Sequence, residues 1–232
     1  MYILSILFPV HNEAQGIVAF ISDVVQKLKG KGISYEIICI ENGSTDNSYE
    51  KLILLSKKYK NFQVIQSAVG WGNAVRAGIQ NAKGVYTCYM VSDGQIDPIY
   101  IYKLFILAKN FHEYQLIKVW RTTRENRLRL VNSRSYNSIA QMLLGIKSWD
   151  INATPKIMET KLLKSIPFTA TNIGWDAELL WHLKKRELKW IEIPVQSVLR
   201  ETGSSTTKLS SIWEMLRCVL SLLTTGKAES KR

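Results

Sequence analysis

The sequence predicts one α/β domain with a mostly parallel central sheet and helices on both faces. Short apolar runs alternate with helical patterns along the first half of the chain, and this alternation favours parallel strands joined by right-handed crossovers. The chain has 232 residues, 46% of them hydrophobic, so one large core is sufficient. We expect the domain to span residues 1–205, followed by a C-terminal amphipathic helix and polar tail over 206–232.

The elements of the first half follow from the spacing of apolar residues. Four apolar runs are typical of strands, at residues 2–8, 35–40, 62–67 and 85–91. Three stretches between them carry apolar side chains at helical spacing, at residues 13–29, 46–59 and 72–82. Strand and helix therefore alternate up to about residue 91.

The second half is less regular. Helical patterns cover residues from about 126 to 145, from 174 to 185 and from 211 to 223, and a strand is predicted at 189–195. Asp176 is a candidate N-cap for the second of these helices. The third helix is strongly apolar and flanked by Lys208 and Lys227, which suits an interfacial membrane contact, burial or a dimer seam.

Polar loops follow the strands of the first half, at residues 9–13, 41–48 and 92–98. Ligands of such sheets bind beyond the carboxyl ends of the strands, so we expect these loops to form the site. Their carboxylates and amides suit a nucleotide and its diphosphate. Magnesium often uses only one or two protein carboxylates, so Asp93 with Gln95 could hold it. Asp46 alternatively caps the helix that begins near Asn47.

The net charge of the chain indicates which classes of binding partner to expect. Lysine and arginine outnumber the acids 31 to 19, a net charge of +12, which suits a phosphorylated small molecule, a membrane surface or nucleic acid. The basic residues are scattered and no nucleic-acid-binding module is recognised, so we expect no nucleic-acid partner. The stretch "GWGNAVRAG" is not a dinucleotide fingerprint, because it follows the third strand and has Val75 at the third glycine position.

The spacing of the cysteines and the length of the apolar runs indicate the cellular compartment of the protein. Cys39, Cys88 and Cys218 lie far apart and suggest neither a disulfide framework nor a zinc site, which favours a reducing cytoplasm. The N-terminus enters a strand at once, and no apolar run approaches the roughly 18 residues that a membrane span needs. We therefore expect a cytoplasmic protein, either soluble or peripheral on the inner face of a membrane.

An ordered set of motifs resembles one enzyme family. The set comprises "PVHNE", "ENGSTDNS", "GWGNAVRAG", "SDGQIDP", "RTTR" and "RLVNSRSYN". In this order and at these intervals it resembles the inverting nucleotide-sugar glycosyltransferases of family 2, which have the GT-A fold. Within that family it looks most like the dolichol-phosphate or polyprenyl-phosphate mannosyltransferases. The resemblance runs from residue 4 to about 205.

The resemblance assigns a set of residues to the nucleotide-sugar donor, linked to GDP or UDP, and to Mg²⁺ or Mn²⁺. Asp93 matches the second acid of the family's Asp-x-Asp metal motif, and Gln95 matches its glutamine. Val91 stands at the first acid, which predicts a change in donor affinity, donor identity or metal dependence. A catalytically silent nucleotide-sugar binder therefore stays open as an alternative. The remaining donor-side positions are Pro9, Asn12, Glu13, Glu41, Asn42, Asp46 and Gly72.

The resemblance also implies an acceptor pocket. Arg121, Arg129 and Ser133 match the family's acceptor-phosphate residues, and arginine suits phosphate because its planar fork donates two parallel hydrogen bonds. An exposed helix face of solvated charge is the alternative for the arginines. Arg200 and Ser204 match a late motif that closes over the donor diphosphate. The turn around Asp150 and Asn152 is expected to support the site from behind.

The acceptor decides the mechanism. A polyprenyl phosphate is already a nucleophilic dianion near neutral pH, so it needs no enzymic base. A hydroxyl acceptor, on a glycan or a small molecule, needs a carboxylate to take its proton, and Asp176 is the candidate. The sequence favours transfer of a hexose to a polyprenyl phosphate and leaves the hydroxyl acceptor as the second possibility.

Overall fold

The computed structural model describes residues 2–123 and 127–198, together with Glu214 and residues 217–223. In the helix that begins at Arg127, side chains are described from Ser135 onward. The described strands form one seven-stranded sheet. Their bounds are β1 Leu4–Val10, β2 Tyr35–Glu41, β3 Phe62–Gln66, β4 Tyr86–Tyr89, β5 Leu116–Arg121, β6 Lys156–Glu159 and β7 Trp190–Val195.

Helices cover both faces of this sheet. Their bounds are α1 Ile17–Leu28, α2 Ser48–Lys58, α3 Trp71–Asn81, α4 Ile99–Asn110, α5 Arg127–Leu144, α6 Thr160–Lys164 and α7 Trp175–Lys185. One core cluster packs α1, α2 and α4 against one side of the sheet, and it includes Phe8, Val24 and Leu104. A second cluster packs α3, α5 and α7 against the other side, and it includes Leu7, Trp175 and Leu179.

The strand order is β3-β2-β1-β4-β6-β5-β7. Strands β1 to β4 are parallel, as are β5 and β7, whereas β6 runs antiparallel to both of its neighbours. The chain reverses its direction of winding between β1 and β4. In doubly wound sheets such a switch point opens a crevice at the carboxyl ends of the strands. The loops after β1 and β4 flank this crevice.

The expected fold class is confirmed, and the predicted elements of the first half are present with ends shifted by a few residues. The sequence patterns did not identify α4, β5, β6 and α6. Strand β6 has only four residues and passes directly into α6, so it leaves too short an apolar pattern to recognise. Helix α4 is apolar on most sides and therefore lacks a clear 3.6-residue period.

The predicted N-cap role of Asp176 is wrong. Helix α7 begins at Trp175, its N-cap position is Gly174, and Asp176 is the second helical residue. Its side chain turns into the protein, where it is 2% exposed. The carboxylate is held there by buried donors instead of by the helix end.

The described part of the C-terminal helix packs on the domain. Val219 and Leu222 are buried in the second core cluster, and Cys218 lies against the backbone of Gly174. Leu220 faces outward and is 54% exposed. None of the helices in the described residues is long and apolar enough to cross a membrane.

Candidate functional site

The loops after β1 and β2 are joined by hydrogen bonds at the rim of the sheet. Asn12 has a left-handed backbone with φ of 56°. Its Oδ1 accepts a hydrogen bond from the Thr45 backbone N–H at 2.8 Å, and its own N–H donates to Ser44 Oγ at 3.1 Å. Asparagine tolerates this conformation better than most residues. Asn12 therefore sets the shape of the rim on the β1 side of the crevice.

Asp46 links the same two loops. Its carboxylate accepts hydrogen bonds from the backbone N–H groups of Ser48 and Ala14, each at 3.0 Å. Partial burial acts to raise the pKa of Asp46, but these hydrogen bonds and that from the Ser48 hydroxyl outweigh it, so the pKa lies below its ordinary value. The N-cap position of α2 is Asn47, so Asp46 binds the first N–H of the helix from the residue before the cap.

His11 belongs to this rim, although the sequence patterns did not single it out. Its Nδ1 lies 2.9 Å from the carbonyl oxygen of Asn42. A carbonyl can only accept, so Nδ1 carries the proton and Nε2 faces the Asn12 amide at 3.4 Å. The only sequence signal was its place between the strand and Asn12.

Glu41 and Asn42, at the end of β2, are also engaged by neighbouring backbone. Glu41 Oε1 accepts a hydrogen bond from the N–H of Ser44. Asn42 donates to Ser67 Oγ at 2.8 Å and to the Ala68 carbonyl at 2.7 Å, and its Oδ1 accepts from the N–H of Gly70 at 3.0 Å. Both side chains are buried. Their hydrogen bonds hold the loops after β2 and β3 together and so fix the shape of this part of the rim.

Gly72 has a packing role at the start of α3. A Cβ atom placed on Gly72 would lie 2.4 Å from the carbonyl oxygen of Ala170 and 2.9 Å from the carbonyl carbon of Thr171. Both are backbone atoms, which cannot rotate away. Only glycine lets α3 approach the segment that leads into α7.

We expect Gly72→Ala to lower the free energy of unfolding by about 1–3 kcal/mol, the usual cost of overpacking. Urea denaturation followed by circular dichroism measures this change. Asn81→Ala, at the exposed end of the same helix, is the matched control and should change little. Equal stability of Gly72→Ala and the wild type would contradict the packing role.

The loop after β4 carries the predicted metal ligands. Asp93 Oδ1 accepts a hydrogen bond from the N–H of Gln95 at 3.1 Å, which closes a tight turn around Gly94 with φ of 72°. The Gln95 carbonyl accepts a hydrogen bond from the N–H of Val198 at 2.9 Å. The segment after β7, which leads toward Arg200 in the sequence, therefore meets the Asp93 loop.

Pro9 and Val91 lie on opposite sides of the crevice. Pairing between β1 and β4 ends at Leu7 and Tyr89, so the missing N–H of Pro9 interrupts no bond of that pair. The Met90 N–H still donates to the Leu7 carbonyl at 3.0 Å, and farther along the Ser92 hydroxyl donates to the Pro9 carbonyl at the longer distance of 3.4 Å. Val91 is half-buried, and its N–H donates to Thr154 Oγ1 at 3.2 Å.

The donor set fits a divalent ion that takes most of its ligands from phosphate and water. Among the described residues, no group of three or more His, Cys, Asp or Glu side chains surrounds a metal-sized space. Mg²⁺ commonly binds through one or two carboxylates with substrate phosphates, and Asp93 supplies one at the mouth of the crevice. The side chain of Val91 has no oxygen with which to bind a metal. The residues therefore suit a metal that binds together with a nucleotide.

Arg121 lies at the carboxyl end of β5. Its Nε and Nη2 donate to the two carboxylate oxygens of Asp150 at 2.8 and 3.1 Å, a bidentate ion pair with both side chains largely buried. Such a pair fixes the plane of the guanidinium. The predicted supporting turn around Asp150 thus holds Arg121, and Nη1 lies outside the pair.

A row of polar side chains crosses four strands beneath this rim. Strand register places Tyr89, Lys156, Lys118 and Glu192 side by side on β4, β6, β5 and β7. Lys118 is fully buried and donates to Glu192 Oε1 at 2.8 Å and to the Asp150 carbonyl at 2.6 Å. Burial lowers the pKa of Lys118, against the attraction of Glu192. The row fastens the 148–150 turn to the sheet.

The other end of the row holds Asp176. Lys156 Nζ lies 2.5 Å from Asp176 Oδ1, the Tyr89 hydroxyl donates to the same oxygen at 2.8 Å, and Trp71 Nε1 donates to Oδ2 at 3.1 Å. Burial lowers the pKa of Lys156 to about 8, against the attraction of Asp176. Asp176, the residue predicted to act as a general base, is thus buried and accepts hydrogen bonds from three side chains. The two buried lysines of the row were not foreseen.

The structure brings Pro9, Asn12, Glu13, Asp46, Asp93 and Gln95 to the rim around the crevice. Glu13 forms part of the β1 side, where its N–H donates to Ser48 Oγ at 2.9 Å. Four predicted residues cannot be placed in the same way. The side chains of Arg129 and Ser133 lie outside the described residues, as do Arg200 and Ser204 entirely.

Comparison with known proteins decides the family. The model of the family described as "Glycosyl transferase family 2" matches residues 5–167 of this chain, which is more than half of it. The chain belongs to glycosyl transferase family 2. The family expected from the motifs is therefore confirmed.

One curated protein that this chain resembles is a dolichyl-phosphate beta-glucosyltransferase of Saccharomyces cerevisiae. The two are 32% identical over 99 residues. This stretch is 39% of the present chain and 30% of the yeast protein, so the chain matches less than a third of that relative's length.

Solved structures confirm the GT-A fold. Glucosyl-3-phosphoglycerate synthase from Mycobacterium tuberculosis, in complex with phosphoglyceric acid, superposes with a TM-score of 0.74 at 19% identity, over 95% of this chain and 79% of that one. The same enzyme with Mn²⁺, uridine-diphosphate-glucose and phosphoglyceric acid gives 0.72 at 18% identity, over the same shares of the two chains. At this identity the likeness concerns the fold alone.

Proposed function

We propose that this protein is an inverting glycosyltransferase that moves a hexose from a nucleoside-diphosphate sugar, linked to GDP or UDP, to a polyprenyl phosphate. Membership of glycosyl transferase family 2 supports the transfer of a sugar. The partial match to a dolichyl-phosphate beta-glucosyltransferase supports a lipid phosphate as the acceptor. The rim of polar loops around the β1–β4 crevice supports a nucleotide at this edge of the sheet.

On the donor side, Asp93 would hold Mg²⁺ or Mn²⁺ with Gln95 beside it. When bound, the ion would offset the negative charge that develops on the departing nucleoside diphosphate. The Asx turn at Asp93 and the bond from Val198 to Gln95 keep this loop in place. Asn12 and the Asp46-linked loops would bound the nucleoside on the opposite side of the crevice.

The main structural support for a phosphate acceptor comes from the surroundings of Asp176. A hydroxyl acceptor needs a carboxylate that can reach it and accept its proton. Asp176 is buried and receives hydrogen bonds from Lys156, Tyr89 and Trp71. A phosphate acceptor is already ionised at neutral pH and needs no such base. This favours the lipid phosphate over the hydroxyl acceptor.

On the acceptor side, Arg121 would donate a hydrogen bond to the incoming phosphate from Nη1, which lies outside its ion pair with Asp150. Asp150 holds its guanidinium in one plane, and Lys118 holds the Asp150 backbone, so the cation is positioned before the acceptor arrives. A guanidinium that is already held in place can bind and orient the acceptor phosphate without first having to be ordered. Arg129, Ser133 and Arg200 remain predicted partners of the two phosphates.

The experiment that tests this function uses product mass. Purified protein is incubated with UDP- and GDP-linked hexoses, Mg²⁺ or Mn²⁺, and either a short polyprenyl phosphate or a plain glycoside. We expect a hexosylated lipid phosphate with inverted anomeric configuration. A hexosylated glycoside would instead support the hydroxyl acceptor. Binding of nucleotide sugar without any product would support a silent binder and contradict the proposal.

A further inference from the structure

The C-terminal half of α5 and the loop after it, residues 135–149, present large apolar side chains to solvent. We call this region the α5 shoulder. Met142 is 77% exposed and Trp149 is 75% exposed, and Ile139 is 37% exposed. Tyr136, Ala140 and Leu144 occupy the buried side of the same helix. The exposed apolar residues are thus additional to those that hold the helix on the domain.

Trp149 is held firmly in its exposed position. Its backbone N–H donates to Glu192 Oε2 at 2.7 Å, and its carbonyl accepts a hydrogen bond from Asn137 Nδ2 at 3.3 Å. Its ring stacks on Trp120, with centroids 5.6 Å apart and an angle of 29° between planes. Glu192 is itself bound by the buried Lys118. One face of the indole is packed, and the rest is presented outward from a rigid base.

The charge of this stretch has one sign. Residues 127–149 contain Arg127, Arg129, Arg134 and Lys147 and no Asp or Glu. The next acid along the chain is Asp150, whose carboxylate is bound by Arg121. This basic stretch of sequence also contains the exposed apolar residues Met142 and Trp149, and such a combination complements a surface that is anionic at its face and apolar just below it.

We propose that the α5 shoulder docks this protein on an anionic lipid bilayer, with Trp149 and Met142 at the level of the headgroups. Tryptophan suits this depth because one part of its ring is apolar and its N–H is polar. Trp120 precedes Arg121, so docking here brings the acceptor side of the rim close to the bilayer. The inference rests on the proposed function in one respect, because a polyprenyl phosphate resides in such a bilayer.

Co-sedimentation with vesicles tests the proposal. We expect the wild type to bind vesicles of mixed phosphatidylcholine and phosphatidylglycerol, to bind phosphatidylcholine alone much less, and to dissociate as salt is raised. The double variant Trp149→Ala with Met142→Ala should lower the partition coefficient at least about tenfold. Leu54→Ala, at a 63% exposed apolar site on α2, is the matched control and should bind like the wild type.

Absence of wild-type binding to the mixed vesicles would overturn the proposal, as would equal binding by the double variant. Self-association in sedimentation velocity that the double variant abolishes, without a change in vesicle binding, would assign the shoulder to a dimer instead. Transfer to a water-soluble short-chain prenyl phosphate separates this inference from the proposed function. The double variant should retain that transfer, and a wild type that binds vesicles but transfers nothing would refute the function alone.

Discussion

Lys156→Met is expected to lower the free energy of unfolding by about 3–5 kcal/mol, the usual cost of removing one partner of a buried ion pair. The reason is the position of Asp176, whose carboxylate is 2% exposed and loses its cationic partner at 2.5 Å. The Tyr89 hydroxyl and Trp71 indole remain as donors, but neither carries a charge. Denaturant unfolding followed by tryptophan fluorescence measures the difference.

Two variants test this explanation. Lys161→Met removes an exposed lysine of α6 and should change the stability by less than about 0.5 kcal/mol. Lys156→Met combined with Asp176→Asn removes both charges and should be more stable than Lys156→Met alone, because no unpaired charge is then buried. A double variant less stable than the single one would show that the pair does not act through charge compensation.

Asp93→Asn is expected to reduce turnover at least about a hundredfold, the scale of losing an essential electrostatic group in a catalytic site. Asparagine can keep the hydrogen bond from the Gln95 N–H, so the turn should persist. What it loses is the negative charge that would hold the divalent ion. Steady-state rates at saturating donor with varied Mn²⁺ measure the effect, which should include a weaker metal dependence.

Asp97→Asn is the matched control for this variant. Asp97 lies in the same loop, but it pairs with Lys27 at 3.2 Å and bonds the N–H of Ile99 at the start of α4. Asparagine can also cap a helix, so turnover should stay near the wild-type rate. Near-normal turnover of Asp93→Asn, or an equal loss in both variants, would remove Asp93 from its proposed role.

The alternation of strands and helices made the first half of the fold predictable, because a parallel sheet imposes both the crossovers and the edge at which the loops meet. That geometry also predicted the edge of the sheet at which the polar loops lie, whereas the crevice between β1 and β4 follows from the observed strand order. It could not reveal β6, which is antiparallel and four residues long. A short strand buried beside others has no period of its own.

Some features of the candidate site could also be predicted from the sequence, and others could not. Asn12 and Asp93 lie in the loops that follow β1 and β4, so the strand pattern was sufficient to predict both at this edge of the sheet. The roles of Asn42 and Asp46 depend on backbone groups of other loops, and sequence spacing carries no information about those bonds. Lys118 and Lys156 each interrupt an apolar run, a pattern that usually indicates a solvent-exposed charge. Strand register instead places the two lysines side by side in the interior. Only the pairing of β5 with β6 reveals this.

The most direct test of the donor site is the position of a metal and nucleotide bound together. Crystals grown with Mn²⁺ and either UDP or GDP would show the ion by its anomalous scattering. We expect a peak in direct coordination with the Asp93 carboxylate, with the diphosphate lying across the crevice between the loops after β1 and β4. A nucleotide and ion bound away from Asp93, or a crevice filled by packed side chains, would contradict this placement.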